Sequence, residues 1–134
     1  ERCKMEIIQK LKKIGVARDD IDTYIIHLTD NNYLNEKRFS ECYVRGKFNN
    51  NNWGKLKIIR ELESRKISKV DINNGLSEIS QEDYLKKIRV LTTKIINENI
   101  DKPKEKIKDK VYNRLEYKGW EKGLIFEQIK ALIN

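Results

Sequence analysis

The sequence predicts an all-α protein, an elongated tandem array of three-helix units with about eight helices and no sheet. Three observations predict it. One apolar pattern occurs three times: Ile7, Ile8, Leu11, Val16, Ile21, Ile25 and Leu28, then Ile58, Ile59, Leu62, Ile67, Ile72, Leu76 and Ile79, then Val111, Tyr112, Leu115, Trp120, Ile125, Ile129 and Leu132. The corresponding leucines stand 51 residues apart (Leu11 to Leu62) and 53 apart (Leu62 to Leu115), as stacked repeats require. Within each copy apolar residues recur four apart, on one face of a helix, and strand-like alternation is absent.

The first helix of each copy ends a few residues past its leucine. Gly15 and Gly119 stand four positions beyond it, where a left-handed C-terminal residue suits glycine, and Lys66 must accept or avoid that backbone in the second copy. A second helix follows, carrying Ile21, Ile25 and Leu28 or their counterparts; Ser68 with Asp71 predicts a capping box for the middle one. Asn35 caps a third helix with Phe39, Cys42 and Tyr43 along one side, and Asn49 to Asn52 makes a polar break tethered by Phe48 and Trp53. Ser80 and Asp83 open the next helix, with Tyr84, Leu85, Ile88, Leu91 and Ile95 on one face. Pro103 suits the start of the last pair. The copies occupy about 1–48, 49–99 and 100–134, the last without a third helix, so residues 1–134 are expected to form a single elongated helical domain. Each helix contributes three or four large apolar side chains, worth roughly 1.5 to 3 kcal/mol apiece before entropy, so no pair stands alone.

The 134 residues carry a net charge of +8 and are 37% charged, which favours a polyanionic or acidic partner over a merely lysine-rich solvated surface. The strongest local field lies between Lys37 and Lys66. There Lys37, Arg38, Arg45, Lys47, Lys55, Lys57, Arg60, Arg65 and Lys66 oppose Glu41, Glu61 and Glu63, a net +6. Arg38, Arg45, Lys47, Lys55, Lys57, Arg60 and Arg65 are the predicted partner-binding residues, against the alternative that they form a solvated face or pair with Glu41 and Glu61. A second run, Lys102 to Lys122, alternates in sign as a solvated helix does. Trp53 and Trp120 could stack on bases, but Trp120 occupies the core position of Val16 and Ile67; Tyr33, Phe39 and Tyr43 are also expected in the core.

Two cysteines, Cys3 and Cys42, make no disulfide framework or zinc pattern and suit a reducing cytoplasm; Cys42 is expected to be apolar in context and inert. His27, the only histidine, has no catalytic partner in the sequence. No nucleophile with an adjacent base, no phosphate-binding glycine loop and no metal-ligand cluster is visible, so neither an enzyme nor a cofactor is expected. No apolar run of roughly 18 residues predicts a membrane span. Because the chain opens on Glu1, further residues upstream are expected.

From Leu28 the sequence continues through Tyr33, Leu34, Asn35, Glu36, Arg38 and Phe39 to Tyr43, Val44 and Arg45, then Trp53-Gly54-Lys55-Leu56-Lys57-Ile58, Glu61-Leu62 and Ile67; near the end stand Leu115, Lys118, Gly119 and Trp120. In order and spacing this resembles the RecX family of regulatory proteins over essentially the whole chain. Asn32 and Lys66 stand where that pattern has glycine. The resemblance implies a tandem array of three-helix units that binds the RecA recombinase filament on single-stranded DNA, as a monomer. It also implies modulation, usually inhibition, of the filament's ATPase, strand-exchange and co-protease activities in DNA repair, homologous recombination and the SOS response. The residues themselves leave a second reading open, a direct nucleic-acid-binding helical protein without sequence specificity.

Overall fold

The computed structural model describes residues 1–133; the Asn134 end of the third copy lies outside them. The described residues form eight helices and no strand: α1 (Lys4–Lys13), α2 (Arg18–Asp30), α3 (Glu36–Asn51), α4 (Lys55–Ser64), α5 (Lys69–Leu76), α6 (Gln81–Glu98), α7 (Lys104–Tyr117) and α8 (Lys122–Leu132).

The three copies close their first helices identically. The N–H of Val16, Ile67 and Trp120 donates to the carbonyl of Leu11, Leu62 and Leu115 at 3.0, 3.1 and 3.0 Å, and the preceding N–H bonds to Lys12, Glu63 and Glu116. This paired closure needs a left-handed residue. Gly15 and Gly119 supply it at φ +92° and +91°, and Lys66 accepts it at φ +59°. Asn32 does the same at +59°, with Tyr33 N–H donating to Leu28 at 2.8 Å, so both departures from glycine keep the turn. The expected capping boxes form in their serine half: Ser68 Oγ accepts from Asp71 N–H at 3.2 Å and Ser80 Oγ from Asp83 N–H at 3.0 Å, while the two-way box is made at the start of α1 between Cys3 and Glu6.

Three local expectations change. Asn49 to Asn51 belong to α3, so the polar break shrinks to Asn52–Gly54, with Asn52 left-handed at φ +60°. Asparagine costs a helix only about 0.7 kcal/mol or less, and burial of Phe48 in the final turns outweighs that. Tyr33 is 70% exposed, because the left-handed Asn32 turns the chain so that Leu34, not Tyr33, enters the core. Cys42 is exposed and Cys3 buried, the reverse of the apolar setting expected for Cys42.

The chain divides into two compact units, one of residues 1–45 with 61–78, the other of 46–60 with 79–134. In the first, Ile21, Ile25 and Leu34 gather Ile7, Ile8, Leu11, Val16 and Leu28 around them. Gly75 of α5 lies against Ser40 and Val44 of α3, and a Cβ there would strike both. In the second, α6, α7 and α8 enclose Ile88, Val111, Leu115 and Ile125. Trp120 is 0% exposed, stacks on Tyr84 at 4.5 Å between ring centres, and donates its Nε1–H to the Asn52 carbonyl at 3.0 Å. The start of α4 rests on the end of α7: Gly54 and Leu56 donate their N–H groups to the Lys118 and Gly119 carbonyls at 2.9 and 3.0 Å. Donors left over at one helix start thereby satisfy acceptors left over at another helix end. The approach is close enough that a Cβ on Gly54 would meet Gly119, and one on Gly119 would meet Lys57.

Candidate functional site

The seven predicted partner-binding cations fall into two chemically different groups. Arg38, Arg45 and Arg65 lie in the first unit and are bound to carboxylates. Arg38 Nε reaches Glu1 at 2.8 Å, and its Nη2 donates to the Asn32 carbonyl at 3.0 Å, bracing the Asn32 turn. Arg45 pairs with Glu78 and lies 3.3 Å from Cys42 Sγ. Arg65 donates to Glu6 at 3.4 Å and to the Glu61 carbonyl at 2.9 Å, with its guanidinium 5.0 Å from the centre of the Tyr43 ring. Burial acts to raise the Glu6 carboxyl, but hydrogen bonds from Cys3 and the charge of Arg65 outweigh it and hold Glu6 below its ordinary value. These arginines spend their charge inside the unit.

Lys47, Lys55, Lys57 and Arg60 lie in the second unit, in a stretch, Gly46–Arg60, that contains no acidic residue. Their lysines sit over aromatic rings. Lys47 Nζ lies 4.8 Å from the centre of the Trp53 ring and Lys55 Nζ 4.5 Å from that of Tyr84. Lys57 Nζ is shared between Trp53 and Tyr117, 4.6 Å from each. Arg60 is exposed and makes no ion pair among the described residues. An aromatic face attracts a cation through its quadrupole, worth about 0.5–1 kcal/mol at exposed sites, but carries no net charge to cancel it. The positive field of Lys55, Lys57 and Arg60 therefore persists outward, whereas a carboxylate would extinguish it.

Sequence reasoning missed the residues that hold this surface in place. The buried Tyr84 hydroxyl donates to Glu121 and accepts the Lys55 N–H at 2.9 Å, fixing the first turn of α4. Burial and the Glu121 hydrogen bond push its phenol far above the ordinary value. Tyr117, 72% exposed, and Lys118, whose Nζ donates to the Asn51 carbonyl at 3.2 Å, complete the cluster. Their signal was the last-turn position of Tyr117 and Lys118 beside the Gly119 closure, which the close approach of Gly54 brings to Lys57.

A family model described as RecX, second three-helix domain, matches residues 35–76, from the Asn35 cap of α3 to the end of α5. The curated relative from Oceanobacillus iheyensis, named regulatory protein RecX, is 24% identical, with 98% of this chain and 48% of the relative aligned. One of the same name from Clostridium tetani is 27% identical, with 99% and 60% aligned. Over nearly its whole length the chain is similar to proteins of the RecX family. The solved RecX structure from Lactobacillus salivarius superposes with a TM-score of 0.84 over 98% of this chain and 85% of that one, at 24% identity, and so shares the fold. The chain spans about half the length of the first curated RecX relatives it matches. Those relatives are named regulatory proteins, not enzymes. Among the described residues no group of three His, Cys, Asp or Glu could hold a metal, and no helix is long and apolar enough to cross a membrane.

Proposed function

We propose that this chain is a cytoplasmic, non-catalytic regulator of the RecX family that binds the RecA recombinase filament as a monomer and inhibits its ATPase, strand-exchange and co-protease activities. Its repeats (about 1–48, 49–99 and 100–134) act as one array against the filament. Kinship with proteins named as regulators supports the role. The single observation that carries the physical side is the Gly46–Arg60 stretch, in which Lys55, Lys57 and Arg60 make no ion pair among the described residues. A filament offering protein carboxylates and nucleic-acid phosphates attracts such a surface through its long-range field. Arg38, Arg45 and Arg65 then act by keeping the first unit in shape rather than by touching the partner, which narrows the seven predicted residues to Lys47, Lys55, Lys57 and Arg60.

ATP hydrolysis by recombinase filaments preassembled on single-stranded DNA tests the proposal. Addition of the chain is expected to lower the steady-state rate in a saturable way. A rate that stays constant up to a large molar excess contradicts it.

A further inference from the structure

Phe126 breaks a pattern that the other copies keep. Ile21, Ile72 and Ile125 are equivalent buried positions; the residue after the first two is polar and exposed, Asp22 and Asn73, whereas the residue after the third is Phe126, 55% exposed. The ring is therefore not needed to close the core. It stacks on Tyr112 at 5.4 Å between ring centres, and the two rings form with Ile129 an apolar groove of about 390 Å³ between α7 and α8, with Lys108 and Asp109 on its rim. That volume is near the lower end of the range for ligand sites, about 300–1,000 Å³, and gives room for one large side chain rather than a cofactor. A single exposed apolar residue is ordinary, but an aromatic pair lining a concave site is not.

The charges around the groove have a matching order. Lys122 and Lys130 stand one turn before and one turn after Phe126 on the same stripe of α8, about 12 Å apart along its axis. Both are exposed, and neither makes an ion pair among the described residues. Lys108 pairs within its own helix with Glu105 at 3.6 Å, and Asp109 is the one carboxylate on the rim. Glu127 lies about 100° further round α8 than Phe126, on the side away from Ile129. At Gly123 a Cβ would meet nothing within 4 Å, so glycine serves no packing there and leaves the approach to Phe126 bare.

We propose that the groove between α7 and α8 is a docking site for an acidic amphipathic helix of another protein, anchored by one large apolar side chain among Tyr112, Phe126 and Ile129. The apolar floor selects the anchor, and Lys122 and Lys130 select carboxylates to either side of it. A helical partner fits the spacing: carboxylates four residues before and four after the anchor span about 12 Å, the same distance as the two lysines. A basic segment would set like charges against both lysines. None of Lys47, Lys55, Lys57 and Arg60 lines the groove, so the site is separate from the surface assigned to the filament and stands if the regulatory reading fails.

Three labelled helical peptides of fifteen residues test it on the intact chain by fluorescence anisotropy, without recombinase or nucleic acid. The first has a central leucine with glutamates four residues to either side, the second has lysines in place of the glutamates, and the third has serine in place of the leucine. The first is expected to bind at least tenfold more tightly than the others and to weaken as salt is raised. F126S should lower its affinity at least tenfold, and K122E/K130E should reverse the preference so that the lysine peptide becomes the tighter ligand. Both variants should keep the parent melting temperature and still inhibit filament ATP hydrolysis, since Asp22 and Asn73 are polar at the place of Phe126; if F126S melts early, the charge reversal alone carries the test. Equal binding of the three peptides, or none bound at millimolar concentration, overturns the proposal. A dimer in sedimentation velocity that F126S dissolves gives the groove to a second copy, and oligo-dT binding lost in F126S gives it to nucleic acid; either overturns it. Loss of ATPase inhibition in a folded F126S merges the groove with the regulatory surface and overturns its independence.

Discussion

Two sets of basic residues, one in each unit, are held by different counter-groups, and the counter-group decides whether a charge is cancelled or persists. In the first, planar guanidinium groups of Arg38, Arg45 and Arg65 find carboxylates and carbonyls, and hold Glu1, Glu78 and Glu6 to the helices. In the second, ammonium groups of Lys55, Lys57 and Lys87 rest on Tyr84, Trp53, Tyr117 and Phe48. A guanidinium fork donates several hydrogen bonds in fixed directions and suits internal fastening; an ammonium on a flexible stem is retained weakly by a ring and stays available. Net charge alone would rank Arg38 and Lys57 alike. What each cation touches separates them.

Glycine substitution should break the comparison most severely. Gly15 and Gly119 share a backbone conformation, but a Cβ at Gly15 meets open space while one at Gly119 meets the Lys57 backbone. Gly119→Ala should cost about 3 kcal/mol or more and loosen the α4 to α7 junction, and Gly15→Ala about 1 kcal/mol, both read by urea denaturation. Cation removal is next. Arg65→Met should destabilise by about 1–2 kcal/mol, through its bonds to Glu6 and the Glu61 carbonyl, whereas Lys57→Met should stay within about 0.5 kcal/mol.

Acid and alkali should sharpen the contrast. Glu6 is held below its ordinary 4.5, so its contribution to the first unit is present above that value and lost as the pH falls through the lowered folded value. Tyr84 is raised above its ordinary 10.0, so its contribution to the second unit is complete below that value and fades as the pH rises beyond it. Melting temperatures against pH are expected to show an acid limb that Glu6→Gln flattens and an alkaline limb that Tyr84→Phe flattens. A single limb abolished by neither substitution would contradict the assignment.

The helices were legible because their determinants are local. The period of four, the Ser68 and Ser80 caps and the leucine-to-turn spacing all act within a few residues, and the repeat even placed Trp120 in the core by analogy with Val16 and Ile67. The turn at Lys66 was legible as a conflict, since the pattern demanded a left-handed residue and lysine can adopt that backbone at modest cost. The site was legible only as a density of charge. The partners of Arg38 and Arg45, Glu1 and Glu78, lie 37 and 33 residues away, so their pairing follows from tertiary packing that no spacing rule encodes. Tyr33 misled for the same reason: apolar character does not say which of two neighbouring side chains a left-handed turn will bury.

The most direct test of the central claim compares two sets of neutralised cations on the intact chain. The concentration that half-inhibits filament ATP hydrolysis is measured for Lys55→Gln with Lys57→Gln and Arg60→Gln, and separately for Arg38→Gln with Arg45→Gln. The ring-held set is expected to raise that concentration at least tenfold and the carboxylate-bound set less than twofold. Equal losses from both sets, or a larger loss from the arginines, would contradict the account.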